Sequence, residues 1–279
     1  MDDKRGRVTR DGIRIYDASD FAGMRAAGRI AAEILDEVGP LVQPGVTTES
    51  LDAFIADRVT AKGATSATIG YTPAGRDPYR HASCISINHV VCHGVPGPKV
   101  LGNGDILNID VTVIVDGWFG DSSRMYVAGK VPLKARRLIE VTHDGLMAGI
   151  AAVKPGNTFG DIGHAIQSHV ESHRMSVVRD FCGHGLGRVF HAPPNVLHYG
   201  RPGTGPELLP GMFFTIEPMV NLGRPETKEL ADGWTAVTRD KSLSAQYEHS
   251  VGVTEDGVEI FTLSPAGLFR AALDQTLLP

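Results

Sequence analysis

An α+β fold assembled from two similar halves around one anionic site is what this sequence predicts. Three observations carry the prediction: a segment near the start is repeated later, helical and strand-like periodicities succeed one another in both copies, and five residues of metal-ligand type recur at strand-like or glycine-rich positions. With 279 residues, 42% of them hydrophobic and 21% charged, the chain can bury one large core.

The first segment, residues 1–17, carries Lys4, Arg5, Arg7, Arg10 and Arg14 and reads as a flexible, solvated extension. Residues 18–279 then form a single domain, with halves at about 18–130 and 131–265. Ser19 or Asp20 can start a helix whose apolar side is Phe21, Met24, Ile30, Ile34, Leu35 and Val38, ending at Gly39-Pro40. The stretch VQPGVTTESLDAFIADRV (42–59) aligns without gaps on VKPGNTFGDIGHAIQSHV (153–170). Each copy reads as a turn feeding a helix, with Thr47 or Thr48 capping the first over Leu51, Phe54, Ile55 and Val59. Thr158 caps the second over Ile162, Ile166 and Val170. A helix from about Leu133 to Val153 is the counterpart of the one before residue 42. Two further matches support the duplication. LGNGDILNID (101–110) aligns on LLPGMFFTIE (208–217), which sets Asp110 opposite Glu217 at equivalent strand ends, and Cys92-His93-Gly94 echoes Cys182-Gly183-His184-Gly185.

In Ile106–Val115, period-two alternation puts Asn108, Asp110 and Thr112 on one face and Leu107, Ile109, Val111, Val113 and Val115 on the other. Asp116-Gly117 fits a two-residue hairpin turn, and pairing about it sets Asp121 opposite Thr112, diagonal to Asp110. His184 lies in FCGHGLG, a loop suited to close backbone approach. Glu217 ends the β-rich run FFTI just before Pro218. Glu248 shares a strand face with Gln246 and Ser250, ahead of the hairpin pattern VTEDGVEIF. Four carboxylates and one imidazole (Asp110, Asp121, His184, Glu217, Glu248) form a set that is stable in a buried site when divalent cations neutralise it. Two-metal hydrolysis is the chemistry that follows. Manganese, iron, cobalt and zinc all suit such ligands.

Composition narrows the remaining classes. A net charge of -5 gives no footprint for DNA. No apolar run nears the roughly 20 residues of a membrane span, and MDDKRGRVTRDG lacks a signal-peptide core. Cys84, Cys92 and Cys182, odd in number and without a CxxC pair, argue against a disulfide framework or a zinc finger and fit the cytoplasm.

From about residue 18 to 263 the motifs CISINHVVCHGVP, NIDVTV, GDSS, CGHGLGRVFH, PPNVLHY, TIEPMV and DGWTAVTRDKSLSAQYEHSVGVT together resemble the methionine aminopeptidases of the type I, bacterial kind. The resemblance implies a pita-bread fold, in which a pseudo-twofold pair of α+β halves with a curved antiparallel sheet encloses a dinuclear metal site. It also implies removal of the initiator methionine from nascent chains with a small second residue, by attack of a metal-bridging water. By the same resemblance Asp121 chelates one ion, Asp110 and Glu248 bridge both, and Glu217 shuttles a proton. His93 and His191 then contact the scissile amide nitrogen and carbonyl oxygen. Asn108 and Thr112 orient carboxylates or hold the substrate amine, with room for a monovalent cation near Asn108. Tyr71, Cys84, Phe190 and Trp234 are nominated for the methionine pocket, and Tyr79 for its rim. Two departures bear on that rim: Thr68 stands where many bacterial members have cysteine, and residues 72–83 form a longer segment than usual. Nascent N-termini, the ribosome and a monomeric state are the implied partners and assembly. An X-Pro aminopeptidase or prolidase fits the ligand set but usually carries an extra amino-terminal domain that the short first segment is not expected to supply. The type II enzyme needs a helical insert that the interval between Glu217 and Glu248 is too short to hold. A peptide-binding module that has lost its activity is disfavoured by the survival of all five ligands.

Overall fold

The computed structural model describes residues 5–268. The expectations for residues 1–4 and 269–279 lie outside the described residues.

Among the described residues, four α-helices and a set of antiparallel strands make two matching halves. In the first, α1 (Phe21–Val38) turns Met24, Ile34, Leu35 and Val38 inward, all fully buried. α2 (Thr48–Ala61) starts where the Ser50 amide donates to Thr47 Oγ1, 3.2 Å away, and buries Leu51, Ile55 and Val59. Each such side chain contributes about 1.5–3 kcal/mol on leaving water. In the second half, α3 (Leu133–Ala151) packs on α4 (Phe159–Ser172), whose start is fixed by the Thr158 amide donating to Asp161 Oδ2 at 2.7 Å. α2 and α4 both run for 14 residues and begin and end at equivalent positions of the repeat. Each helix pair covers its own apolar cluster.

The strands Asp105–Val115 and Trp118–Ala128 form the long hairpin. Asp116 and Gly117 both have positive φ, 49° and 81°, the conformation a two-residue turn with right-handed twist requires. Register follows: Thr112 pairs with Asp121, and Asp110 with Ser123. Leu107, Ile109, Val111 and Val113 are buried against α1 and α2. The polar face looks the other way, toward the second half. That half contributes a five-stranded sheet in which Gly183–Gly185 lies between Ala192–Val196 and Phe213–Ile216, the last paired in turn with His249–Val253. The halves meet where Glu248 bridges to Ser123 and Ser250 Oγ donates to the Asp121 carbonyl at 2.6 Å.

Three expectations differ from the structure. In residues 5–17, Arg7–Val8 pairs with Arg14–Ile15, and Ile13, Ile15 and Tyr16 are buried, so apolar anchors between the arginines hold the segment down. His184 sits in a short strand instead of a loop, because pairing on both sides overrides the flexibility of its glycines. Asp110 and Glu217 do not both end strands. The strand of Asp110 runs on to Val115, whereas that of Glu217 stops at Ile216 because Pro218 has no N–H to continue the ladder.

Candidate metal centre

Asp110 and Asp121 project from the two arms of the hairpin, His184 from its short strand, Glu217 from the kink before Pro218, and Glu248 from just before His249–Val253. All five line one cavity of about 820 Å³. Ligand atoms of Asp121, His184 and Glu248 lie within 4.8 Å of one another. His184 Nε2 is 3.5 Å from Asp121 Oδ2 and 3.7 Å from Glu217 Oε1. Its Nδ1, 3.1 Å from the Gly185 carbonyl, donates to that oxygen, which leaves Nε2 facing the carboxylates in the orientation a ligating imidazole takes. Neighbours orient the acids as well. Thr112 Oγ1 donates to Asp121 Oδ1 at 2.7 Å and Thr215 Oγ1 to Glu217 Oε1 at 2.8 Å, while Gln246 Nε2 is 3.4 Å from Glu217 Oε2.

Electrostatics of the group point to cations. Burial, then Asp121 and Glu217, push the Asp110 carboxyl well above its usual range. Burial and the same two neighbours do so for Glu248, and burial raises Glu217 to about 7. Burial lowers His184, but the carboxylates of Asp121 and Glu217 outweigh it and the net direction is up. Among the described residues none of the five is ion-paired with lysine or arginine. A buried, mutually repelling oxygen-rich set with one imidazole is a donor set that divalent ions fit.

The walls of the cavity carry the other predicted residues. His93 follows the strand Val90–Cys92 in a left-handed conformation, φ 55°, uncommon for a residue with a side chain. Burial lowers it to about 4, so it is neutral at ordinary pH. His191 is exposed on its outer side, and its inner side meets His184, Phe190 and Tyr71 at ring separations of 4.2, 4.0 and 5.1 Å. Cys84 lines the cavity because it pairs with Asp110 across the sheet. Trp234 meets Tyr79 at 5.0 Å. Tyr79 differs from its expected place at the rim: it is 4% exposed, and its hydroxyl donates to the Ser83 carbonyl at 2.9 Å, which makes it part of the inner wall. Thr68 also lines the cavity and is tied to the His81 carbonyl. Asn108 stands one layer back, donating to Ser123 Oγ and to the Gln246 carbonyl, with its own Oδ1 buried and without a hydrogen-bond partner.

Several lining residues escape sequence reasoning. Cys92, Phe181, Cys182 and Met219 add to the apolar, sulfur-rich wall. Arg76, from the long 72–83 segment, pairs with Glu229 at 2.5 Å and lies 5.3 Å over the Trp234 ring, tying that segment to the opposite wall. Thr215 carried a usable signal, since alternation puts it on the face of Glu217. Asp11 and Ile13 reach the cavity from the first segment, which local pattern could not show.

Comparison with known proteins agrees with this geometry. The model of metallopeptidase family M24 matches residues 22–255. The methionine aminopeptidase of Rickettsia prowazekii is 56% identical over 257 residues, covering 92% of this chain and 97% of the relative. That of Escherichia coli K12 is 50% identical over 253 residues, covering 90% and 94%. Among solved structures, the Rickettsia prowazekii methionine aminopeptidase superposes with a TM-score of 0.87 over 90% of this chain and all of that one. The Thermotoga maritima enzyme, 39% identical, gives 0.86 over 90% and 99%. Prolidase from Pyrococcus furiosus, 20% identical, gives 0.71, and this chain covers 65% of it, a likeness of fold alone. The chain is therefore a member of metallopeptidase family M24, with its pita-bread fold, and falls among the bacterial methionine aminopeptidases of that family.

Proposed function

We propose that this chain removes the N-terminal methionine from nascent proteins and peptides whose second residue is small. The observation that carries this reading is the enclosure of one buried anionic cluster and one soft, apolar wall within a single cavity. A thioether gains from contact with aromatic rings and sulfur, and Tyr71, Tyr79, Cys84, Phe190 and Trp234 offer both. Asp110, Asp121, His184, Glu217 and Glu248 are the residues that would hold two divalent ions, which supply a Lewis acid and an activated water. Glu217 would shuttle the proton, its Oε1 held by the Thr215 hydroxyl and its Oε2 3.4 Å from Gln246 Nε2. His93, neutral, has one N–H and one lone pair for the scissile amide, and His191 donates to the carbonyl oxygen. Thr112, bonded to Asp121, keeps that carboxylate in place. The orphaned Oδ1 of Asn108 supports a monovalent cation beside it. Cytoplasmic location, a monomeric state and work at the ribosome complete the reading. No described helix is long and apolar enough to cross a membrane.

The test is methionine release from Met-Ala-Ser and Met-Lys-Ser peptides, with metal content measured on the same anaerobically purified sample. The first peptide is expected to be cleaved far faster, and equal cleavage would reject the specificity.

Metal uptake should also release protons. Glu217 titrates at about 7 and Asp110 and Glu248 lie well above their usual range, so below neutrality a cation must displace protons from this group. Affinity for Mn²⁺ is expected to rise as pH climbs from 6 to 8, by up to about tenfold per unit for each proton displaced. Titration heats should depend on the ionisation enthalpy of the buffer. The stability of the metal-free protein runs oppositely: carboxyls raised on folding stabilise below about 4.5, and that contribution is lost as pH rises through about 7. Buffer-independent heats would contradict this account.

A further inference from the structure

Glu217 stands where regular pairing stops. Ile216, paired with His249, ends the strand, and Pro218 follows, so the Glu217 amide has no place in the ladder. Its partner is an imidazole: the amide donates to His198 Nε2 at 3.1 Å. A ring nitrogen that accepts a backbone N–H carries no proton, so His198 is neutral with its hydrogen on Nδ1. The ring is fully buried, and Nδ1 has no hydrogen-bond partner. Packing does not explain this choice of side chain. A leucine would fill similar space and spare the unmatched Nδ1, but it would strip the Glu217 amide of its acceptor.

A helix holds the backbone on either side of His198. A Cβ at Gly163 of α4 would lie 2.6 Å from the Tyr199 carbonyl carbon and 2.8 Å from the Leu197 carbonyl oxygen, so the backbone on both sides of His198 rests directly on that helix. The Gly200 amide donates to Gln167 Oε1 of the same helix at 3.2 Å. With both flanks held against α4, the His198 ring reaches the kink that carries Glu217.

We infer that His198 is a positioning residue for Glu217: clamped against α4 and neutral, it accepts the Glu217 amide and fixes the kink that aims the carboxylate into the cavity. The inference deepens the proposed function and rests on its reading of Glu217.

His198→Leu removes the acceptor at similar volume, whereas His198→Gln keeps one in Oε1. Calorimetric titration of the metal-stripped His198→Leu protein with Mn²⁺ should show binding weakened about 10–100-fold at the site Glu217 serves. Its kcat on Met-Ala-Ser should fall by a similar factor with KM near that of the parent. His198→Gln should recover both. Gly163→Ala, which displaces the clamp and leaves the imidazole, should weaken Mn²⁺ binding in the same direction. If the leucine and glutamine variants lose thermal stability alike while their folded fractions bind Mn²⁺ as the parent does, the ring is packing alone and the inference is overturned. Should His198→Leu not fold, Gly163→Ala decides: parent-like Mn²⁺ binding rejects the positioning role. A parent that fails to cleave Met-Ala-Ser would reject the peptidase reading, and the Mn²⁺ titrations would still test His198.

Discussion

Glu248→Ala is expected to abolish methionine release, to below about one-thousandth of the parent rate, and to weaken divalent-ion binding at least about 100-fold. The backbone at Glu248 is anchored independently of its carboxylate. Its amide donates to the Ser123 carbonyl at 3.1 Å, and its carbonyl accepts from Ser122 Oγ at 2.8 Å, so alanine leaves the seam between the halves intact. What disappears is a 3%-exposed carboxylate that shares a small volume with Asp121 and His184. In the metal-free protein that carboxylate is a source of repulsion, since burial and its neighbours push its pKa well up. The metal-free variant should therefore melt no lower than the metal-free parent, whereas the rise in Tm on adding Mn²⁺ should shrink or vanish. Loss of activity with a parent-like Mn²⁺ shift would mean that Glu248 acts on the substrate and not as a ligand. Retained turnover with full metal content would sink the assignment altogether.

That prediction could be written from sequence because the relevant geometry is local. Period-two alternation and the Asp116-Gly117 turn are short-range signals, and together they fixed the Thr112 and Asp121 register that brings two acids onto one face. The repeated turn and cap likewise placed α2 and α4 in matching positions. What stayed hidden depends on partners far along the chain. Gly183–Gly185 becomes a strand only because two other strands flank it. The charged first segment is held by Ile13 and Ile15, whose burial no local pattern distinguishes from chance. Tyr79 turns inward for a carbonyl, at Ser83, that a rim residue would not reach. His198 is the extreme case, since its one bond runs to a backbone amide and nothing in the side chain of Glu217 betrays it.

His191→Ala is expected to lower kcat by about 10²–10³ while leaving metal content and KM near those of the parent. Two neighbouring imidazoles differ in their surroundings. His184 turns Nε2 toward Asp121 and Glu217 and belongs with the candidate ligands. Among the described residues His191 forms no ion pair with a carboxylate, and it stands at the open side of the cavity with its ring 4.2 Å from that of His184. A donor placed there meets a peptide carbonyl weakly in the ground state and strongly as negative charge grows on the oxygen, which is why the loss should fall on kcat. His191→Gln, which keeps an N–H at similar reach, should return part of the rate. His191→Ala protein that loses its ions, and regains its rate when Mn²⁺ is supplied in excess, would instead make His191 a support of the metal centre. The two outcomes differ in a single comparison, the rate of the variant at saturating Mn²⁺, because no amount of metal can replace a missing oxyanion donor.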